Sequence, residues 1–224
     1  ADGHHRYETA LNYRNYCREN GISKPGDPQD FQMIYLVDME HPGLVVFPTH
    51  RLVRDLPNFD KEAVLEKCSE FFYIDEKEGT DTMEEDLKKL YDEGKKAFGF
   101  YCGKGEWFLL TLKNIDIMSQ MLPNVSKASQ SLDVSVLHTL ILEKIFGIDK
   151  ENMAKQINLT YTKFFTEAID GVDKGEFQCS FVLNPTRVTE IRDVAAAGEK
   201  MPQKSTYFYP KMITGMVMNN LGVD

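Results

Sequence analysis

Ala97-Phe98-Gly99-Phe100-Tyr101-Cys102-Gly103-Lys104-Gly105-Glu106-Trp107-Phe108-Leu109-Leu110-Thr111-Leu112 is the stretch from which the fold can be read. Two β-rich runs, 97–102 and 107–112, flank Gly103-Lys104-Gly105, and glycines at a tight reversal mark a β-hairpin. Upstream of it, 60–71 and 81–95 carry helical spacing, and 72–75 is a short strand between them. Still earlier, 31–38 and 44–47 are β-rich runs separated by Glu40-His41-Pro42-Gly43, the pattern of another hairpin. Downstream, 132–146 is the most apolar helical stretch, ended by Gly147, and is expected to be the central buried helix, with His138 a satisfied core histidine. A helix at 152–156, a strand at 157–160, a helix at 163–169, a strand at 177–183 and a helix at 186–197 complete the pattern. Short strands interleaved with helices, without a repeat, predict an α+β fold with a mixed sheet and several helices. The expected organisation is a single domain over 1–224, with a candidate subdivision near 123–131.

A chain of 224 residues, 42% hydrophobic and 27% charged, can bury a substantial core. No stretch approaches the roughly 20 apolar residues of a membrane helix, and membrane partners are not expected. The net charge of −9 and pI near 5.1 argue against a broad nucleic-acid surface, so any anion site must be local. Cys17, Cys68, Cys102 and Cys179 are widely spaced and read as free thiols of a cytoplasmic protein. No metal site is predicted, because His4 and His5 are adjacent and His41, His50 and His138 lack short-range ligand partners.

The N-terminal run Asp2-Gly3-His4-His5-Arg6-Tyr7-Glu8-Thr9-Ala10 breaks a local rule. It reads as a helix start, where the macrodipole disfavours each cation by about 0.3–1 kcal/mol, yet three potential cations crowd the first turn. Free amides, a flexible glycine and an arginine describe a phosphate site, with Gly3, His4, His5 and Arg6 as its candidates. The competing reading has Asp2 as a helix cap and two neutral, solvated imidazoles. Asp2 and Glu8 are the acid/base candidates, Asp2 being kept ionised by the cations beside it; Glu8 can equally form a surface ion pair.

Two further groups could contact an anion. His50-Arg51 follows a strand end at Phe47-Pro48-Thr49, or is simply part of a surface loop. In the tail Lys200-Met201-Pro202-Gln203-Lys204-Ser205-Thr206-Tyr207-Phe208-Tyr209-Pro210-Lys211, Lys204, Ser205 and Thr206 suit phosphate. The same tail also reads as a proline-bounded strand with Tyr207 and Tyr209 on one face. The glycines of a Walker loop are absent, and no nucleophilic triad can be assembled.

Over its whole length, the chain resembles the prokaryotic family known as domain of unknown function 1015. The resemblance is carried by the N-terminal run, by Leu132-Asp133-Val134-Ser135-Val136-Leu137-His138 and by Met201-Pro202-Gln203-Lys204-Ser205-Thr206-Tyr207-Phe208. Members of that family extend further at the N-terminus, so the chain, which starts at Ala1 without Met, is expected to be truncated there. Locally, Asp2-Gly3-His4-His5-Arg6 is similar to the signature of the ParB/sulfiredoxin superfamily, which implies phosphate contacts at Gly3 and Arg6. His4 stands where the sulfiredoxin cysteine belongs, which argues against sulfinic-acid reduction.

The free-serine kinases of that superfamily also carry an Asp before the Gly. Their likeness implies that Asp2 engages a substrate hydroxyl while Gly3, His5 and Arg6 hold phosphates, with ATP or ADP and Mg²⁺ as cofactors. Their other catalytic acid would lie upstream of Ala1. Three functions stand open: a small-molecule kinase, a non-enzymatic sensor of a nucleotide or phosphorylated metabolite, and a phosphoester hydrolase.

Overall fold

The computed structural model describes residues 3–211 and 218–221. They divide into two compact units, 1–45 with 208–224, and 46–207. In the first unit, α1 (His4–Glu19) starts from Gly3 at φ 115° and ends at Asn20. The chain then folds back on its last turn, where Ile22 N donates to the Cys17 carbonyl at 2.8 Å. Asp30, in a 3₁₀ turn at Pro28–Asp30, accepts from Arg18 at 2.7 Å and from Gly26 N at 2.7 Å. These bonds hold the carboxyl below its ordinary range, the Gly26 amide contributing most.

The strands are β1 (Val45–Phe47), β2 (His50–Val53), β3 (Phe72–Glu78), β4 (Ala97–Tyr101), β5 (Glu106–Leu112), β6 (Leu159–Thr162), β7 (Cys179–Val182) and β8 (Tyr207–Tyr209). The helices of the second unit are α2 (Lys61–Cys68), α3 (Met83–Asp92), α4 (Ile117–Met121), α5 (Lys127–Gln130), α6 (Asp133–Val136), α7 (Lys150–Lys155), α8 (Phe165–Asp173) and α9 (Val188–Ala196). Six strands make one sheet in the order β3-β5-β4-β7-β2-β6, and each of its ladders is antiparallel. The fold is α+β, as expected.

Side chains alternate across a strand, so each face of the sheet can be read from the register. One face carries Phe72, Phe98, Phe100, Phe108, Leu110, Phe181, Cys179 and Val53, packed with Val64, Cys68, Leu137, Leu140 and Ile141 from the helices above it. Phe100 and Phe181 stack with ring centroids 5.0 Å apart. The opposite face carries Ala97, Tyr101, Trp107, Leu109 and Val182 against Met83 and Leu87 of α3 and Ala168, Ile169 and Val172 of α8. The hairpin of β4 and β5 turns where the sequence places it, with Gly103, Lys104 and Gly105 all at positive φ. It is pinned from α8, because Asp173 accepts from Tyr101 Oη at 2.7 Å and from Lys104 N at 3.0 Å.

Two expectations are corrected. Residues 31–38 do not form a strand: among the described residues no ladder pairs them, and Phe31, Met33, Ile34, Tyr35 and Leu36 are all more than half exposed. A turn does form at His41-Pro42-Gly43, where Leu44 N donates to the His41 carbonyl at 2.9 Å. β-rich composition does not make a strand without a partner to satisfy its backbone. The apolar helix at 132–146 is α6 followed by a π-helical segment, Leu137–Glu143, ended by Gly147 at φ 71°. Apolar spacing does not distinguish the wider π turn from an α turn, and π segments recur at functional sites. No helix among the described residues is long and apolar enough to cross a membrane.

Candidate functional site

Arg51 sits on β2, opposite Tyr161 of β6 and Phe181 of β7. It faces the phenylalanine side of the sheet and is 1% exposed. Its guanidinium donates to the Thr49 carbonyl, to the Lys204 carbonyl at 3.1 Å and to His138 Nε2 at 3.2 Å. Its centre lies 5.5 Å from the centroid of the Tyr161 ring. No carboxylate pairs with it among the described residues, and its Nε–H has no partner. Burial lowers its pKa only to about 10, so it remains a cation at neutral pH.

A buried charge without a countercharge costs several kcal/mol, which carbonyl and imidazole acceptors offset in part. The surroundings hold further polar atoms without partners. Tyr161 Oη is buried and unbonded, and burial raises the pKa of its phenol while Arg51 opposes the shift. Burial, reinforced by Arg51, holds His138 well below its ordinary 6.5 and neutral. The arrangement is a protonated guanidinium flanked by neutral donors and acceptors, a chemistry suited to an oxyanion.

His50, although adjacent in sequence, faces the other side of the sheet by strand alternation. Its Nδ1 accepts from Leu183 N at 3.2 Å, so in the neutral ring the proton is on Nε2, which is buried without a partner. Burial first, and Arg51 second, lower its pKa to about 4. His50 and Arg51 thus do not converge on one group.

The tail motif does reach Arg51. Lys204 takes the left-handed conformation at φ 55°, which aims its carbonyl at the guanidinium while its side chain is exposed. Ser205 is buried, its hydroxyl donating to the Pro202 carbonyl at 2.7 Å and its carbonyl accepting from Thr186 Oγ1 at 2.9 Å. Thr206 is half-buried beside it. The strand reading of the following residues also holds, as β8.

In the first unit, Asp2 and the side chains of His4 and His5 lie outside the described residues. α1 starts from a left-handed Gly3, which supplies no side-chain cap, and has no acidic residue in its first turn. Arg6 folds over the glycine, and a Cβ at Gly3 would lie 3.0 Å from Arg6 Nη2. Glycine is favoured there by φ 115°, whereas the exposed end of Arg6 could shift away from a Cβ. Glu8 is half-buried on α1. Among the described residues no group of three or more His, Cys, Asp or Glu could hold a metal ion.

Sequence reasoning missed His138 and Tyr161 as neighbours of Arg51. The available signal for His138 was one imidazole in a mostly apolar run; Tyr161 gave none, because its proximity depends on the pairing of β2 with β6.

The fold and these groups describe an α+β protein with a buried arginine at the heart of its sheet. Residues 1–135 match the family described as protein of unknown function (DUF1015), and the chain belongs to that family. The match covers the N-terminal run, Arg51 and Leu132–Ser135, whereas the tail motif lies beyond it. No curated protein matches the sequence. Among solved structures, a conserved hypothetical protein from Pyrococcus furiosus is similar at 19% identity and TM-score 0.44, over 78% of this chain and 60% of that one. A free serine kinase in complex with AMP is similar at 15% identity and TM-score 0.44, over 78% of this chain and 57% of that one. A mutant free serine kinase in complex with ADP gives 15% identity and TM-score 0.43, over the same shares. The chain thus spans 57–60% of the length of these solved chains.

Proposed function

We propose that this protein binds a phosphate-bearing small molecule or nucleotide and acts as a small-molecule phosphotransferase on a serine-like hydroxyl, using ATP or ADP with Mg²⁺. The observation that carries the anion-binding part is Arg51, a buried, protonated guanidinium with an unpartnered N–H and, among the described residues, no carboxylate beside it. A buried charge with no countercharge is costly to the fold, and a bound anion would offset that cost. The helix start at Gly3 with Arg6 is the second phosphate locus, where the helix dipole and a cation favour negative charge. In this reading Gly3, His4, His5 and Arg6 hold phosphate, Asp2 orients the hydroxyl and Glu8 is the alternative acid/base group. Lys204, Ser205 and Thr206 flank the Arg51 site and His50 buttresses β2 behind it. The nucleotide's own phosphates would carry Mg²⁺, which would offset part of their charge.

Calorimetry with ADP and ATP, with and without Mg²⁺, tests the reading on the full chain and on Arg6→Ala and Arg51→Gln. A charge-assisted contact contributes about 1.5–3 kcal/mol, so either variant should bind about ten- to a hundredfold more weakly. Wild-type protein that binds neither nucleotide would end the nucleotide reading. Phosphorus NMR with candidate amino acids then separates the functions: a new phosphomonoester signal means a kinase, free phosphate without acceptor a hydrolase, and no product a sensor.

A further inference from the structure

We propose that residues 32–38 pair antiparallel with the same segment of a second copy of the chain, forming the strand ladder of a homodimer. The inference is independent of the anion reading of Arg51. The segment Phe31-Gln32-Met33-Ile34-Tyr35-Leu36-Val37-Asp38 has β-forming composition and no Pro or Gly to interrupt a ladder. No backbone N–H of residues 32–37 has a partner among the described residues. Of their carbonyls only that of Met33 accepts a bond, from Gln32 Nε2 at 3.0 Å. A row of donors and acceptors is therefore open to another strand.

The side chains are as open as the backbone. Leu36 is 82% and Tyr35 67% exposed, and Phe31, Met33 and Ile34 also exceed half. With roughly 150–250 Å² on a large side chain, the apolar residues of 31–39 leave on the order of 600–1,000 Å² uncovered on each chain. That exceeds the roughly 300–600 Å² of the largest patch on a typical monomer and matches the roughly 800 Å² that each partner gives to a standard interface.

Charge selects the occupant and the direction. Residues 31–37 carry no charge, so the edge does not repel an identical one. The same segment of another copy is also the one matching strand present at equal concentration. A parallel, in-register pair would set the two Asp38 carboxylates side by side, on strands about 4.8 Å apart. An antiparallel pair centred on Tyr35 instead places Asp38 opposite Gln32, whose amide can donate to it, and keeps the two carboxylates roughly 20 Å apart. This register sets Tyr35 against Tyr35, Ile34 against Leu36 and Met33 against Val37, pairs that favour association. It also obeys a two-fold axis through the ladder, because residues facing each other have the same parity. Val37 of the second copy comes to the rim of a cavity of about 230 Å³ that Met33 lines with Ala10 and Tyr13 of α1.

Sedimentation velocity of the full chain over micromolar concentrations should show a reversible monomer–dimer equilibrium. Ile34→Lys and Leu36→Glu, each alone, should weaken dimerisation at least tenfold, because each homodimer brings two like charges to diagonal positions on one face. Their equimolar mixture should recover the dimer, with the introduced ammonium opposite the introduced carboxylate. Wild type that stays monomeric throughout overturns the proposal and leaves the edge to another occupant. A dimer indifferent to both substitutions, or variants that mixing does not rescue, overturns it as well. Should a variant fail to fold, hydrogen exchange of the wild type serves instead: amides of 32–37 that gain protection as concentration rises are expected, and unprotected amides in a sedimenting dimer overturn the proposal.

Discussion

Arg51 carries opposing consequences for stability and binding. Its three acceptors would lose their donor if it were replaced, but the replacement would also remove a desolvated charge that no carboxylate among the described residues offsets. Exchanging buried ions for apolar groups of similar volume is often neutral or stabilising by about 1–4 kcal/mol. Arg51→Met is accordingly expected to unfold at the same or a higher urea concentration than wild type while losing anion binding. A loss above about 2 kcal/mol would instead identify Arg51 as a structural anchor. Arg51 was legible as a candidate in the sequence because a basic pair follows a strand end. Its separation from His50 was not, since the sequence records adjacency whereas the pleat sends neighbours to opposite faces.

At the level of elements, the contact of α8 with the sheet is set by a glycine. A Cβ at Gly171 would lie 2.9 Å from Phe177 Cδ2 and 3.2 Å from Leu52 Cδ2. In an isolated helix Gly→Ala gains about 1 kcal/mol. Here the added methyl must displace a ring packed under the helix and the side chain following Arg51, an overpacking cost of about 1–3 kcal/mol. Gly171→Ala is expected to lower the urea midpoint, with the slope unchanged; a stabilised variant would show that the layer has slack. The hairpin of β4 and β5 was readable because its turn is encoded by three consecutive residues. The π segment and the absent strand at 31–38 were not, because helix type and strand formation depend on what packs or pairs alongside, and neither is recorded in local composition.

Across the whole molecule, acid sensitivity should arrive in two stages. His50, with its pKa lowered to about 4, and His138, also lowered, stay neutral when folded but take up protons near 6.5 when unfolded. Their contribution to stability is complete above pH 6.5 and is lost as pH falls toward the folded values, by up to about 1.4 kcal/mol per unit for each ring. Glu199 acts lower on the scale. It accepts from Ser129 Oγ, and from Ser126 N at 2.6 Å and Ser126 Oγ at 2.8 Å, contacts that lower its pKa and are lost only as pH drops below 4.5. Urea titrations at pH 7.5, 6 and 5 should show a steady decline that is flattened in a His50→Asn, His138→Asn double variant. An unchanged slope would mean the rings are not buried as neutral groups.

The sheet also determines how such measurements can be read. Trp107, the only tryptophan in the chain, is wholly buried on the face opposite Arg51, its indole N–H bonded to the Gly79 carbonyl at 2.8 Å. Its emission is therefore an internal gauge of whether the α3 and α8 layer is intact and should be indifferent to an anion arriving at Arg51. Tyr161, in contact with the guanidinium, lies where an optical signal of occupancy would originate. If Arg51 does take an anion, the sheet separates the tryptophan that reports folding from a tyrosine that would report binding, one on each face.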